Sequence, residues 1–444
     1  MERFIFCMCL LALGAMAAPA SQSAAGYRGY KLLSVKAETP DQVQLLNHYA
    51  EVDETLDFWT HPRLGSYADV MVPPSSFAPL VRSWTQAGLN VTVKQNDVQA
   101  MIEEVEVQNQ AYKLLMTATP YTSLNHNQYY TYNQVVAHLQ TLANNFPSLT
   151  KFDSSGKNPD RPRTEGGKII HFIEAGAQMG QKPVIMLEVN IHAREHITAA
   201  AMLYTLDWLL TNYATQANAK AILDNYHLVV VPVANPDGYD YSHQSSSTRL
   251  WRKNRRYLSL LCTGVDLNRN FAEPNFATSS SCSSDTYPGP YASSEAETQA
   301  IEKIFEAFKA RMAIYLPVHC YSQVLLTPYS SSSTGSMPCN GAQHTTGGRL
   351  MADAIKAVDG RTFGVGSAYS QIGYSAKGTS GDWALYAKPG VVSIAYELRP
   401  SSNTSNGFVL SASEIVTAGK ELLNSLVAIA NYVRGLTTNP CASG

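Results

Sequence analysis

Five apolar runs constrain the fold of this chain more than any other feature: Lys168–Glu174, Val184–Ile191, His227–Val233, Ala313–Val318 and Val391–Tyr396. Longer segments of helical period alternate with them, near Asn133–Asn145, Thr198–Tyr213, Glu295–Arg311 and Ser411–Arg434. Runs dominated by apolar residues are strands covered on both faces. Separated by helices, they assemble as a mixed, largely parallel sheet with helices on both sides, an α/β fold. With 444 residues, 45% of them hydrophobic and 15% charged, the chain is neither disordered nor collagen-like. A net charge of −2 gives no electrostatic footprint for nucleic acid.

A separate, smaller unit precedes this layer. Residues 1–20 read as a secretory signal peptide: Arg3, the apolar run Phe4–Leu13, then small residues with Ala15-Met16-Ala17 or Ala18-Pro19-Ala20 as the cleavage site. No later stretch has the length of a membrane span. The expected location is therefore secreted and extracellular. Residues 26–110 carry 6 basic and 11 acidic side chains, net −5, which leaves 111–444 at +3. Strand patterns at Tyr30–Lys36, Leu56–Trp59, Ala68–Val72 and Leu89–Lys94 alternate with two helical ones in the order β-α-β-β-α-β, that of a ferredoxin-like α+β unit. The first helix opens on Thr39-Pro40-Asp41-Gln42, a capping box with proline at the first helical position. The unit contains no cluster of ligands or nucleophiles, and a structural or inhibitory role is expected. Residues 105–125 are polar without a clear period and read as a linker (111–125), in which Lys113 is the only basic residue between Lys94 and Lys151.

The strongest chemical signal follows the run Val184–Ile191. His192-Ala193-Arg194-Glu195 offers an imidazole and a carboxylate turned toward one point, and His319, after Ala313–Val318, offers a second imidazole. Catalytic zinc takes three N and O ligands and keeps a fourth position open. Ligands in open α/β sheets gather beyond the carboxyl ends of strands. His192, His319 and Glu397, after Val391–Tyr396, all fall there by this reading. His192-Ala193-Arg194-Glu195-His196 also matches a helical His-x-x-Glu-His zinc pattern, which would make an endopeptidase using His192 and His196. That pattern needs the pentad inside a helix, whereas here a strand precedes it, so His192 and Glu195 are preferred as ligands.

These residues, with Leu250-Trp251-Arg252-Lys253, Gly264-Val265-Asp266-Leu267-Asn268-Arg269-Asn270, His319-Cys320-Tyr321-Ser322-Gln323 and Tyr396-Glu397-Leu398-Arg399, stand in one order along the chain. In that order the chain resembles the secreted zinc metallocarboxypeptidases of the pancreatic A/B type, which are made as zymogens. The resemblance runs from about Gly26 to the C-terminal helix. A His₂Glu set is the known zinc site of carboxypeptidase A, so the ligand set is not independent of the resemblance.

The resemblance implies a zinc-dependent exopeptidase with one Zn²⁺ per chain, acting on peptide and protein C-termini. It makes 26–110 the inhibitory pro-domain and 126–436 the catalytic domain. His192, Glu195 and His319 match the zinc ligands, and Asp266 the carboxylate that orients the first histidine. Glu397 matches the general base, and Arg252 the cation that stabilises the oxyanion. Asn268 and Arg269 match the clamp for the substrate's free carboxylate, Tyr374 the mobile tyrosine, and Arg194 and Tyr321 residues of the next subsites. Gly381 matches the base of the specificity pocket. Glycine there, where B-type enzymes carry aspartate, favours neutral apolar or aromatic C-terminal residues. A slip of one residue to Asp382 would restore the B-type preference for Lys or Arg.

A disulfide Cys262–Cys282 is implied, Cys320 stands where the family has serine, and pairing of Cys339 with Cys441 is left open. Further expectations are a monomer, a digestive lumen as one setting, and activation by a trypsin-like protease, with Lys113 as a candidate cut. Electrostatic attraction between the acidic pro-domain and Arg194, Arg252 and Arg269 would hold it over the site. A reading from another class is a secreted module that binds peptide ends without cutting them.

Overall fold

The computed structural model describes residues 26–115, 124–152, 161–274, 276, 281–331, 337–373, 375–437 and 440–441. The expected signal peptide and Tyr374 lie outside these residues.

The N-terminal unit forms a four-stranded sheet in the order Asp57–Phe58, Tyr67–Val72, Lys31–Lys36, Asn90–Gln95, with all neighbours antiparallel. Its helices are Pro40–Val52 and Pro74–Gln86, and the Thr39–Gln42 capping box forms as expected. Strand alternation gives this sheet two faces. Leu33, Val35, Val70 and Val72 pack on Leu46, Leu80 and Trp84 of its own helices. On the other side, Leu32 and Met71 join Trp59, Val98 and Ile102 in one apolar cluster with the core of the large domain. The unit is therefore docked by apolar burial as well as by charge.

A helix, Val98–Leu115, replaces the first half of the expected linker and includes Lys113. Val98, Met101, Ile102 and Val105 repeat at i, i+3, i+4 and i+7 and are buried. Beyond Val105 the described positions are largely exposed, so the stripe ends where the reading of a linker began.

The large domain has a nine-stranded sheet. Its path is Gly364–Ser367, Val324–Thr327, Ala395–Ser401, Met312–Ser322, Val184–Val189, His227–Val231, Ile173–Ala175 and Thr150–Phe152, with Val392–Ser393 also paired to Met312–Ser322. Pairs around the centre are parallel, and the Val324–Thr327/Ala395–Ser401 pair and the two pairs beyond His227–Val231 are antiparallel. Helices His196–Thr211, Ile415–Arg434 and Gly341–Asp359 contribute to one core layer, Ala296–Phe308 and Ser380–Ala387 to the other.

Two further sequence expectations are corrected. The run Lys168–Glu174 gives a strand only at Ile173–Ala175, because Lys168 turns away to pair with Asp237 and Asp240. His319 and Glu397 sit within strands rather than after them, since Met312–Ser322 and Ala395–Ser401 continue past both. The helix Gly341–Asp359 was not anticipated, and its Gly347-Gly348 pair argues against a helix locally. A Cβ on Gly347 would stand 2.5 Å from Ile429 Cδ1, so the glycines admit a closely packed neighbouring helix.

Both disulfides, Cys262–Cys282 and Cys339–Cys441, are present, and Cys320 is the one free thiol among the described residues, buried.

Glu297, fully buried in the first turn of Ala296–Phe308, accepts from Asn254 Nδ2 at 3.2 Å. Burial, with Glu295 and Asp237 adding to it, raises its pKa to about 8 against the pull of hydrogen bonds. An unfolded glutamate titrates near about 4.3, so the folded chain holds the extra proton from there to about 8, and stability falls as pH rises through that window. Glu297→Gln is expected to remove this loss. The variant's Tm should gain on the wild type's between pH 5 and pH 8.5, and a Tm difference independent of pH would contradict it.

Candidate active site

The strand Val184–Val189 ends at Asn190, which is buried in the left-handed region at φ 56°. Its Nδ2 donates to Glu195 O at 3.0 Å and His192 O at 3.4 Å, which folds the Ile191–Glu195 turn back over the strand end. Ala193 N–H donates to Arg252 O at 2.9 Å and ties the turn to the Arg252 segment.

This turn brings His192 and Glu195 against His319. His192 Nδ1 lies 2.7 Å from Glu195 Oε1 and 3.2 Å from His319 Nδ1, and His319 Nδ1 lies 3.3 Å from Glu195 Oε2. All three residues are buried and offer one ligand atom each within 4.8 Å of the others. Donor atoms this close share either a proton or a cation between them. Zn–N bonds of 2.0–2.1 Å in tetrahedral geometry place two nitrogens about 3.3 Å apart, close to the spacing here. The donor set therefore fits zinc.

Asp266 Oδ1 stands 3.2 Å from His192 Nε2, the arrangement that fixes a ligand's tautomer and leaves Nδ1 free for metal. Its other oxygen, Oδ2, accepts from Arg252 Nη2 at 2.9 Å and Nε at 3.2 Å. Burial alone would raise the Asp266 pKa, but Arg252, His192 and Arg269 hold it well below the usual carboxylate range. Glu397 is across the parallel pair from His319, in direct register. Removal from water pushes its carboxyl up, with His319 opposing and Glu195 adding to the rise.

His196 takes no part in the triad. It begins the helix His196–Thr211, stacks on His243 at 3.9 Å and meets Ser242 Oγ through Nε2 at 2.8 Å. The helical pentad reading is thus not realised.

Asn268 and Arg269 lie in the turn after Asp266. Asn268 Oδ1 accepts from Ser380 N–H at 2.9 Å, which sets the direction of its amide, and Arg269 Nη1 donates to Asn268 O at 2.8 Å. Arg249, three residues before Arg252, is buried and donates to Arg194 O and Phe408 O, both at 2.7 Å.

A cavity of about 200 Å³ joins these groups, lined by the triad, Arg252, Asn268, Arg269, Tyr321, Gly381 and Glu397. Gly381 faces the wall formed by Pro317 and Ser393. Asp382 also borders the cavity, but its carboxylate is engaged: it accepts the N–H groups of Ser330 and Ser331 and the Ser330 hydroxyl at 2.9–3.1 Å.

The same cavity is lined by Trp59, Thr60, His61 and Arg63 of the N-terminal unit. Asp57 accepts from Arg194 Nη1 at 2.8 Å, Tyr321 OH donates to Asp69 at 3.0 Å, and Arg63 Nη1 donates to Gln371 O at 2.6 Å. Burial, with Arg269, Arg252 and Arg194 facing it, pushes His61 down to about 3, so it is neutral among the three guanidinium groups. Sequence reasoning anticipated the charge attraction but none of these pro-domain residues, because no motif marks them.

Residues 135–425 match the zinc carboxypeptidase family, and residues 33–105 match the carboxypeptidase activation peptide. "Zinc carboxypeptidase A 1" of Drosophila melanogaster is 36% identical over 96% of this chain and 98% of its own length. "Metallocarboxypeptidase A" of Trichophyton rubrum is 31% identical over 97% and 99%. The solved carboxypeptidase A of Helicoverpa armigera superposes with a TM-score of 0.81 at 29% identity, covering 93% of this chain and 99% of that one. With its ligand triad formed and an activation-peptide domain lying across the cavity, this chain belongs to the zinc carboxypeptidases and is a zymogen of that family.

Proposed function

We propose that the activated enzyme removes neutral, apolar or aromatic residues from free peptide C-termini, and that the chain is secreted as a monomeric zymogen. One observation carries the reading of specificity: Gly381 lines the cavity, while the Asp382 carboxylate beside it is engaged by Ser330 and Ser331. A lysine or arginine side chain would find no unengaged carboxylate at Gly381, and burying an unpaired cation is costly. The signal-like N-terminus and two disulfides support secretion.

In this reading His192, Glu195 and His319 hold zinc, which supplies Lewis acidity and an activated water when bound. Asn268 and Arg269 receive the substrate's terminal carboxylate, where arginine makes paired, charge-assisted bonds. Arg194 and Tyr321 serve the preceding residues, and Tyr374 closes on the substrate. Glu397 accepts a proton from the attacking water and returns it to the leaving amine. Arg252 stabilises the oxyanion. Asp266 keeps His192 in the ligating tautomer and Arg252 in place.

Activation by a trypsin-like protease after Lys113 requires the end of the Val98–Leu115 helix to fray, because Lys113 is still helical. Trypsin is expected to cut there as activity appears. A gain of activity without that cut would move the activation site.

A panel of N-blocked dipeptides tests specificity. Release of Phe, Tyr or Leu should exceed release of Lys or Arg by at least about tenfold, and Gly381→Asp should narrow or reverse that ratio. A wild type that prefers Lys or Arg would contradict the reading of the pocket.

A further inference from the structure

Glu273 has no part in the chemistry described above, yet it lies in the seam between the carboxylate clamp and the pocket wall. It follows Asn268 and Arg269 by a few residues and is 5% exposed. Its Oε1 accepts the Gly378 N–H at 2.6 Å. Phe271 N–H donates to Gly378 O at 3.1 Å, and Ser380 N–H donates to Asn268 Oδ1 at 2.9 Å. Three hydrogen bonds thus join the strip 268–273 to the strip 378–380.

The two strips touch. At φ 71°, a Cβ on Gly378 would stand 2.0 Å from Arg269 O, so only glycine fits there. Glycine brings no side chain to pack, which leaves the hydrogen bonds to set the spacing. One strip carries Asn268 and Arg269; the other leads into the helix Ser380–Ala387 with Gly381 in its first turn. A substrate reads both at once, its carboxylate on the first and its side chain on the second.

A neutral acceptor would satisfy a single backbone N–H at less desolvation cost than a carboxylate. The second oxygen, Oε2, is buried and has no hydrogen-bond partner among the described residues. Carrying an under-satisfied acid at this seam marks it as a place where function, rather than packing alone, sets the residue.

We propose that Glu273 is a positioning residue: by holding Gly378 it sets the spacing between the Asn268–Arg269 clamp and the pocket wall at Gly381, and hence the affinity for a free C-terminus. The proposal rests on the exopeptidase reading above. Burial brings the Glu273 pKa up to about 7 against its bond to Gly378; Asp382 of the pocket helix adds to the rise, while Arg269 of its own strip and Lys377 of the preceding loop oppose it. As pH rises through 7 the carboxylate forms, its bond to Gly378 becomes charge-assisted, and KM for free-acid substrates falls.

The test measures kcat and KM for one N-blocked dipeptide with a free C-terminus from pH 5.5 to 8.5, on activated, zinc-loaded wild type, Glu273→Ala and Glu273→Gln. Glu273→Ala is expected to raise KM about tenfold with kcat within about threefold. Glu273→Gln, which keeps an acceptor oxygen, should restore KM to within about threefold and abolish the inflection near pH 7. A KM within twofold of wild type in Glu273→Ala, an inflection retained in Glu273→Gln, or none in the wild type would each overturn the proposal. Should Glu273→Ala not fold, the Gln profile decides alone. An active wild type with unmoved variants sinks only the role of Glu273; a wild type inactive on every free-end peptide sinks the exopeptidase reading with it.

Discussion

Glu397→Gln is expected to lower kcat by about 10²–10⁴-fold, the range for loss of a general acid–base, while zinc stays bound. The residue stands on Ala395–Ser401 in register with His319 and lines the same cavity as the ligand triad. Its carboxyl is raised by removal from water, which makes it a stronger base than a solvated glutamate once ionised. Glutamine keeps the shape and loses the proton acceptor, so binding should be largely kept and the chemical step lost. Kinetics with a zinc assay on the same sample separate the two, because a lost ligand would lower metal content and a lost base would not. A variant within tenfold of wild-type kcat would remove Glu397 from the role of base.

The other large effect belongs to the metal. His319→Ala is expected to lose stoichiometric zinc on dialysis and, with it, activity down to the assay background. Two further consequences follow from the geometry. His192 Nδ1 and Glu195, 2.7 Å apart, can pair with each other once the ion is gone, so the variant should fold without it. Wild-type Tm should rise with zinc and fall with chelator, by about 2.7 kcal/mol of stability when free zinc is 100 times Kd. In His319→Ala that response should shrink or vanish. Retention of one zinc per chain and near-normal activity in the variant would show that the ion is held elsewhere.

Much of this site was legible because its chemistry is local in sequence. His192 and Glu195 sit three residues apart after a buried strand, and Asn268 follows Asp266 by two. His319 and Glu397 have no such local partner; they were singled out because each follows the start of an apolar strand run, although both strands continue past them. Long-range contacts were less legible. Nothing near Asp57, His61 or Arg63 signals that these side chains meet Arg194, the catalytic cavity and Gln371, and Glu273 acquires its role only from Gly378, 105 residues away. Secondary structure was misread where tertiary packing outweighs propensity. Gly347-Gly348 is a poor helix sequence that a close neighbour makes favourable, and the Val98–Leu115 helix continues on polar residues once its first two turns are buried.

The measurement that tests the central claim most directly takes trypsin-treated, zinc-loaded protein and pairs of N-blocked peptides identical except for a free or an amidated C-terminus. On the proposed roles, with Asn268 and Arg269 receiving the substrate carboxylate and His192, Glu195 and His319 holding zinc, the terminal residue should be released from the free acids and not detectably from the amides. Equal cleavage of both forms, or cleavage at internal bonds, would contradict a carboxylate-clamped exopeptidase, and no cleavage of either form with zinc bound would leave only a module that binds peptide ends.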